Sequence, residues 1–237
     1  MASGPEPAAA AAARPLLISI AGPSRSGKTT LAVGLCEKWG IPGQWVSQDT
    51  FFEDDKAMML AYMNNAPWGN WEVPEVIDWD KFREAIDAGS CKVPALDGHS
   101  VTISEGFLIY TPPLVHRFDK AIFVWCDKAT CEERRRGTTN VPETYFDDYI
   151  WPYFVRYNHY LAQWKREGVK NTNLAQLGGD LLVLDGAHTD IPTLVDQAAK
   201  FILDDPSLVR DLEKEQRLLD MIEEEYKALI AKESEGK

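Results

Sequence analysis

Gly22-Pro23-Ser24-Arg25-Ser26-Gly27-Lys28-Thr29 reads G-x-x-x-x-G-K-[ST], and its flanks decide what it is. Before it stands the apolar run Pro15-Leu16-Leu17-Ile18-Ser19-Ile20-Ala21, and after it the helical pattern Thr30-Leu31-Ala32-Val33-Gly34-Leu35-Cys36. Strand, glycine loop and helix in that order make a phosphate-binding P-loop, whereas a plain glycine turn beside a solvated lysine would need neither flank. Gly22 and Gly27 let the backbone turn its N–H groups inward, and the helix beginning near Lys28 adds the positive end of its dipole. The cradle for ATP is then Gly22, Ser24, Ser26, Gly27, Lys28, Thr29 and Thr30. Lys28 reaches the β and γ phosphates and the Thr29 hydroxyl ligates Mg²⁺.

Composition narrows the partners. The 237 residues hold 25 Lys and Arg against 37 Asp and Glu, a net charge of −12, with 45% hydrophobic residues. That suits one globular domain, and with no basic stripe it argues against nucleic acid and for a small-molecule substrate. Cys36, Cys91, Cys126 and Cys131 are scattered without metal-binding spacing, as expected of reduced thiols in the cytoplasm or nucleus. No apolar run approaches the ~20 residues of a membrane span. Residues 1–14 form an Ala-rich tail without the basic start of a secretory signal, expected to be disordered.

Downstream, apolar runs alternate with helical patterns, the signature of an α/β fold: a P-loop NTPase-type parallel sheet flanked by helices. Gln44–Ser47 reads as a short strand delivering Asp49 to its carboxyl end, where α/β sheets collect ligands. Asp80 to Gly89 reads as a helix capped by Asp80, and Val93–Leu96 as a minor strand. The β-rich run His99–Tyr110 carries Glu105-Gly106, and a carboxylate at a core strand end facing a P-loop is a magnesium partner. Lys120–Cys126 and Leu181–Gly186 are the remaining strands. Lys128–Arg136 reads as a helix ending in Arg134, Arg135 and Arg136, which either complement the macrodipole or belong to a lid closing on the transferring phosphoryl group. Tyr145–Arg166 reads as one long aromatic helix. Residues 15–203 thus make the P-loop domain, and 204–237 an amphipathic helix interrupted by Glu215 that packs back or meets a second copy or partner.

Taken in order, the P-loop, Ser47-Gln48-Asp49-Thr50-Phe51-Phe52, Ser104-Glu105-Gly106-Phe107-Leu108, the three arginines and Tyr145-Phe146-Asp147 with Trp151-Pro152 resemble the nicotinamide riboside kinases. These belong to the uridine-kinase-like P-loop nucleoside kinases. The resemblance covers Leu16 to Leu203. It implies ATP- and Mg²⁺-dependent phosphorylation of the 5′-hydroxyl of nicotinamide riboside, with nicotinic acid riboside alongside, in NAD salvage. Asp49 falls on the family's catalytic acid position, Thr29 and Glu105 on its magnesium positions, and Lys28 on its phosphate lysine. Trp71-Glu72 matches an aromatic-acid pair in which the ring stacks on the pyridinium and the acid binds the ribose hydroxyls. Glu72 stands where the family has Asp, Thr50 where a second Asp is common, and the lid from Gly137 to Thr144 is shorter. A uridine or cytidine kinase on the same fold, and a non-catalytic nucleotide-binding module acting through the C-terminal helix, remain as alternatives. No N-K-x-D motif of a GTPase is present.

Overall fold

The computed structural model describes residues 14–63, 69–93, 96, 98–111, 114, 118–136, 144–167 and 181–235. The tail up to residue 13 and the lid stretch 137–143 lie outside them. Six strands form one sheet: β1 (Leu16–Ala21), β2 (Val46–Ser47), β3 (Cys91–Lys92), β4 (Ser100–Glu105), β5 (Lys120–Trp125) and β6 (Leu181–Asp185). The order is β2-β4-β1-β5-β6, all parallel, with β3 antiparallel to the start of β4. β1 sits centrally between β4 and β5, so its carboxyl end opens at the point where the chain winds away to both sides, the crevice in which α/β sheets bind ligands.

Alternation along the strands feeds two cores. In β5, Ile122 and Val124 face one side, joining Leu31 and Leu35 of α1 (Lys28–Lys38) and Leu194 and Ala198 of α7 (Ile191–Ile202). Phe123 and Trp125 face the other, meeting α3 (Trp79–Ala88), α4 (Lys128–Arg135), α5 (Trp151–Asn158), α6 (Tyr160–Glu167) and α8 (Leu212–Glu235). Each large side chain buried this way contributes roughly 1.5–3 kcal/mol. A third cluster joins Ala57 of α2 (Asp54–Met63) to Val73, Val76 and Ile77 and to Phe107 and Leu108 after β4.

Three expectations are corrected. The α3 cap is Asp78, whose side chain accepts from the Lys81 N–H at 3.0 Å, rather than Asp80. The minor strand is Cys91–Lys92 instead of Val93–Leu96. The aromatic helix is divided: a π-helical turn at Phe146–Ile150 leads into α5, and His159 separates α5 from α6. Pro152 explains the first break, since it has no N–H to donate to the preceding turn and its ring crowds that turn's carbonyl. The C-terminal helix, left open between two roles, packs back: Leu218, Leu219 and Ile222 of α8 enter the core beside Leu161 and Trp164 of α6.

Glu215, which breaks the apolar pattern of α8, is its best anchored residue. Its carboxylate is buried against Lys165 Nζ at 2.7 Å and Arg210 Nη2 at 2.6 Å, and also accepts the Val183 N–H of β6 at 3.1 Å. No helix among the described residues is long and apolar enough to cross a membrane.

Candidate active site

The loop between β1 and α1 wraps an open cleft of about 750 Å³. Its conformation follows from its glycines. Gly22 has φ 152°, and a Cβ there would strike the Val124 carbonyl oxygen and come within 2.7 Å of Ser26 Oγ. Arg25 holds the left-handed region at φ 69° and Gly27 at φ 100°. For Arg25 that conformation costs about 1–2 kcal/mol, and it closes a tight turn in which the Ser26 N–H donates to the Pro23 carbonyl at 3.1 Å. Ser24, Ser26, Gly27, Lys28, Thr29 and Thr30 all line the cleft. Gly22 lies beneath it, fully enclosed.

Two acids approach from neighbouring strand ends. The 3-10 turn Gln48–Phe51 after β2 carries Asp49 to the cleft wall. Buried Gln48 clasps this turn to the one after β4, its Oε1 accepting the Leu108 N–H at 3.1 Å. Glu105, at the end of β4, is fully buried. Ser47 Oγ donates to its Oε1 at 2.5 Å, whereas Oε2 has no partner; the Thr29 hydroxyl lies close enough to favour the ionised carboxylate. Burial raises the Glu105 carboxyl above its ordinary range despite Lys28 and the two hydroxyls, and the charge of Asp49 adds to the rise. An orphaned buried carboxylate oxygen beside a threonine hydroxyl and a phosphate cradle suits Mg²⁺, which takes one or two protein oxygens and completes its octahedron with phosphates and water. Among the described residues no cluster of three or more His, Cys, Asp or Glu is placed to hold a metal.

The three arginines separate. Arg134 lines the cleft and also braces it: Nη1 donates to the Arg25 carbonyl at 3.3 Å and Nη2 to the Gly186 carbonyl at 3.0 Å. Arg135 reaches Ser24 Oγ at 3.4 Å, lines the cleft and faces the charge of Glu72. Arg136 turns to solvent and pairs with Glu132 at 3.4 Å, away from the cleft. Successive helical residues point about 100° apart, so three in a row cannot share one face.

Trp71 and Glu72 lie to the side of the phosphate cleft rather than in its wall. The Trp71 indole N–H donates to Asp54 at 3.1 Å, and its ring is half-buried 6.3 Å from the ring of Tyr145. The Asn70 side chain accepts the Glu72 N–H at 3.0 Å and so turns the chain there. Burial pushes the Glu72 carboxyl up to about 7, opposed by Arg135 and Lys28 and reinforced by Asp49. Glu72 is thereby tied electrostatically to the side chains on the cleft.

Sequence reasoning missed two contributors. Tyr145 accompanies Trp71, accepting its backbone N–H at 3.3 Å and donating to the Gly69 carbonyl at 3.2 Å. The turn after β6 brings Gly186, Thr189, Asp190 and Ile191 to the cleft. Its signal was present in Leu184-Asp185-Gly186, a strand ending in acid-glycine like Ser104-Glu105-Gly106. A Cβ on Gly186 would come within 2.5 Å of the Ser26 carbonyl oxygen, so glycine lets the two loops touch.

No protein-family model and no curated protein sequence matches the chain. Among solved structures it is similar to a deoxyadenosine kinase from M. mycoides with bound dATP, at 11% identity over 78% of this chain and 98% of that one, TM-score 0.45. It is similar to a gluconokinase from Sinorhizobium meliloti 1021 at 11% identity, 81% and 94% coverage and TM-score 0.44. A sugar kinase from Janibacter sp. HTCC2649 stands at 16% identity, 83% and 99% coverage and TM-score 0.44. Identities this low bear on the fold alone.

Proposed function

We propose that the protein transfers the γ-phosphoryl group of ATP to the 5′-hydroxyl of nicotinamide riboside, forming nicotinamide mononucleotide and ADP. One observation carries the chemistry: Lys28 and Thr29 from the P-loop, Asp49 from the β2 turn and Glu105 from β4 gather at one strand-end crevice. The P-loop N–H groups and Lys28 hold the β and γ phosphates in line with the acceptor. Asp49 accepts the proton of the 5′-hydroxyl as its oxygen bonds to the γ phosphorus. The bond from that phosphorus to the bridging oxygen breaks, and ADP leaves with the electron pair. Arg135, held at Ser24, faces the transferring group and carries part of its negative charge. Mg²⁺ held by Thr29 and Glu105 would neutralise charge on the phosphate oxygens.

The acceptor assignment rests on the motif resemblance and on Trp71 and Glu72. A Trp face attracts a pyridinium by ~0.5–2 kcal/mol, and a carboxylate can accept from two vicinal hydroxyls. The deciding measurement is ADP release with Mg-ATP and nicotinamide riboside, nicotinic acid riboside, uridine, cytidine or water. Selective turnover of the pyridine ribosides is expected. Turnover of uridine or cytidine instead would keep the mechanism and replace the substrate. In the same assay Asp49→Ala is expected to lower kcat by ~10²–10⁴ with ATP binding retained, and near-normal turnover would remove Asp49 from the role of base.

A further inference from the structure

We propose that the C-terminal helix α8 is a positioning element of the nucleotide site, with Lys214 holding the turn after β6 in the shape that binds ATP. This rests on the reading of the cleft as a nucleotide site.

The argument starts at the sheet edge. β6 is an outermost strand, and its unpaired backbone groups are met by side chains instead of a neighbouring strand. Glu215 accepts the Val183 N–H, while the Leu181 carbonyl accepts from Lys165 at 2.9 Å and Arg210 at 2.7 Å. Those contacts fix the position of α8 against β6. One residue earlier on the helix, Lys214 Nζ stands 2.9 Å from Asp185 Oδ2, at the carboxyl end of the same strand.

Asp185 organises the turn that follows. Its Oδ1 accepts the N–H groups of Ala187 at 3.2 Å and His188 at 3.1 Å, which folds Gly186 back toward the P-loop. The Gly186 carbonyl then takes the Arg134 guanidinium, whose other nitrogen holds the Arg25 carbonyl. Gly186, Thr189 and Asp190 line the cleft; Lys214 does not. A continuous set of charged and hydrogen-bonded groups therefore runs from α8 through Asp185 and Arg134 to the P-loop backbone. Lys214 acts on nucleotide through Asp185 and touches no reacting atom. Lys214, together with the His188 side chain and N–H, holds the Asp185 carboxyl below its ordinary range against its burial.

The test compares wild type, Lys214→Glu and Lys214→Arg in the full chain. Direct binding of a fluorescent ATP analogue, the KM for ATP, the KM for the acceptor, kcat and the melting temperature are measured for each. Lys214→Glu, which sets a carboxylate against Asp185, is expected to weaken analogue binding and raise the KM for ATP by about tenfold. The acceptor KM and kcat stay within about twofold, and Lys214→Arg restores nucleotide binding to about the wild-type level. Unchanged analogue binding in Lys214→Glu overturns the proposal, as does an equal rise in both KM values, which is the mark of general loosening. A wild-type chain that binds no analogue overturns this proposal together with the phosphoryl-transfer reading. Wild-type binding with an unaffected Lys214→Glu variant overturns this proposal alone.

Discussion

Glu105 and Glu215 are both buried carboxylates at the sheet, and their surroundings are opposite. Both oxygens of Glu215 are engaged, Oε1 by Arg210 Nε at 2.8 Å and Oε2 by Lys165, Arg210 and the Val183 N–H. Burial alone would raise its carboxyl, but the hydrogen bonds and charges of Arg210 and Lys165 more than offset this and hold it below the ordinary range. Glu105 has Ser47 on Oε1 and no hydrogen-bond partner on Oε2, and burial prevails over Lys28 and the nearby hydroxyls. Desolvating a carboxylate costs several kcal/mol, so a carboxylate with a purely structural task is surrounded by partners. One left short at a strand end beside the P-loop is what the proposed phosphoryl transfer would use to hold a cation.

The contrast can be broken from either side. Glu215→Ala leaves Lys165, Arg210 and the Val183 N–H without their acceptor in a dry edge, and is expected to cost about 3–5 kcal/mol in denaturant unfolding. Because the folded-state pKa of Glu215 is depressed, its contribution is present above the ordinary carboxylate pKa and lost as pH falls through the folded value. The gap between wild type and Glu215→Ala should therefore narrow in acid, and a pH-independent gap would mean that the ion pairs carry none of it. Glu105→Gln should do the reverse. Removing a charge that Lys28 and Ser47 only partly compensate keeps or raises the melting temperature, while loss of the proposed cation ligand lowers turnover by about 10²-fold or more. Equal destabilisation by the two substitutions would make Glu105 another structural acid.

Which parts were legible in the sequence follows the same division. The phosphate side was readable because its residues lie in one contiguous motif or at strand ends next to it: Lys28, Thr29, Asp49 and Glu105 needed only the strand-loop-helix reading. Glu215 was visible only as an interruption, since its partner Lys165 lies 50 residues away and no local pattern joins them. Tyr145 was visible only as part of the Tyr145-Phe146-Asp147 motif, and its pairing with Trp71, 74 residues away, has no local pattern. Of the three arginines, the helical period alone could have shown that not all three reach the cleft; that Arg134 and Arg135 line it and Arg136 does not required the packing of α4 against the P-loop. The Asp78 cap was missed for a neighbouring Asp two positions on, a matter of one hydrogen bond to the Lys81 N–H.

Glu72 lies between the two extremes and gives the smallest and sharpest test. It is half-buried where Glu215 is buried, its opposite charges are Arg135 and Lys28, which a phosphate would also engage, and its carboxyl is raised to about 7. Its ionised form has the full set of acceptor lone pairs for two ribose hydroxyls, so acceptor binding should strengthen as pH rises through about 7. Between pH 6 and 8 the ionised fraction rises about tenfold, and the acceptor KM should fall by a similar factor. Stability runs the other way. A carboxyl whose folded pKa is raised contributes stability below its unfolded pKa, and that contribution is lost as pH climbs through the folded value. Acceptor affinity and unfolding free energy should thus have opposite slopes across neutrality, and Glu72→Gln should flatten both. Parallel slopes, or a KM profile that survives in Glu72→Gln, would assign the titration to another group and remove Glu72 from acceptor recognition.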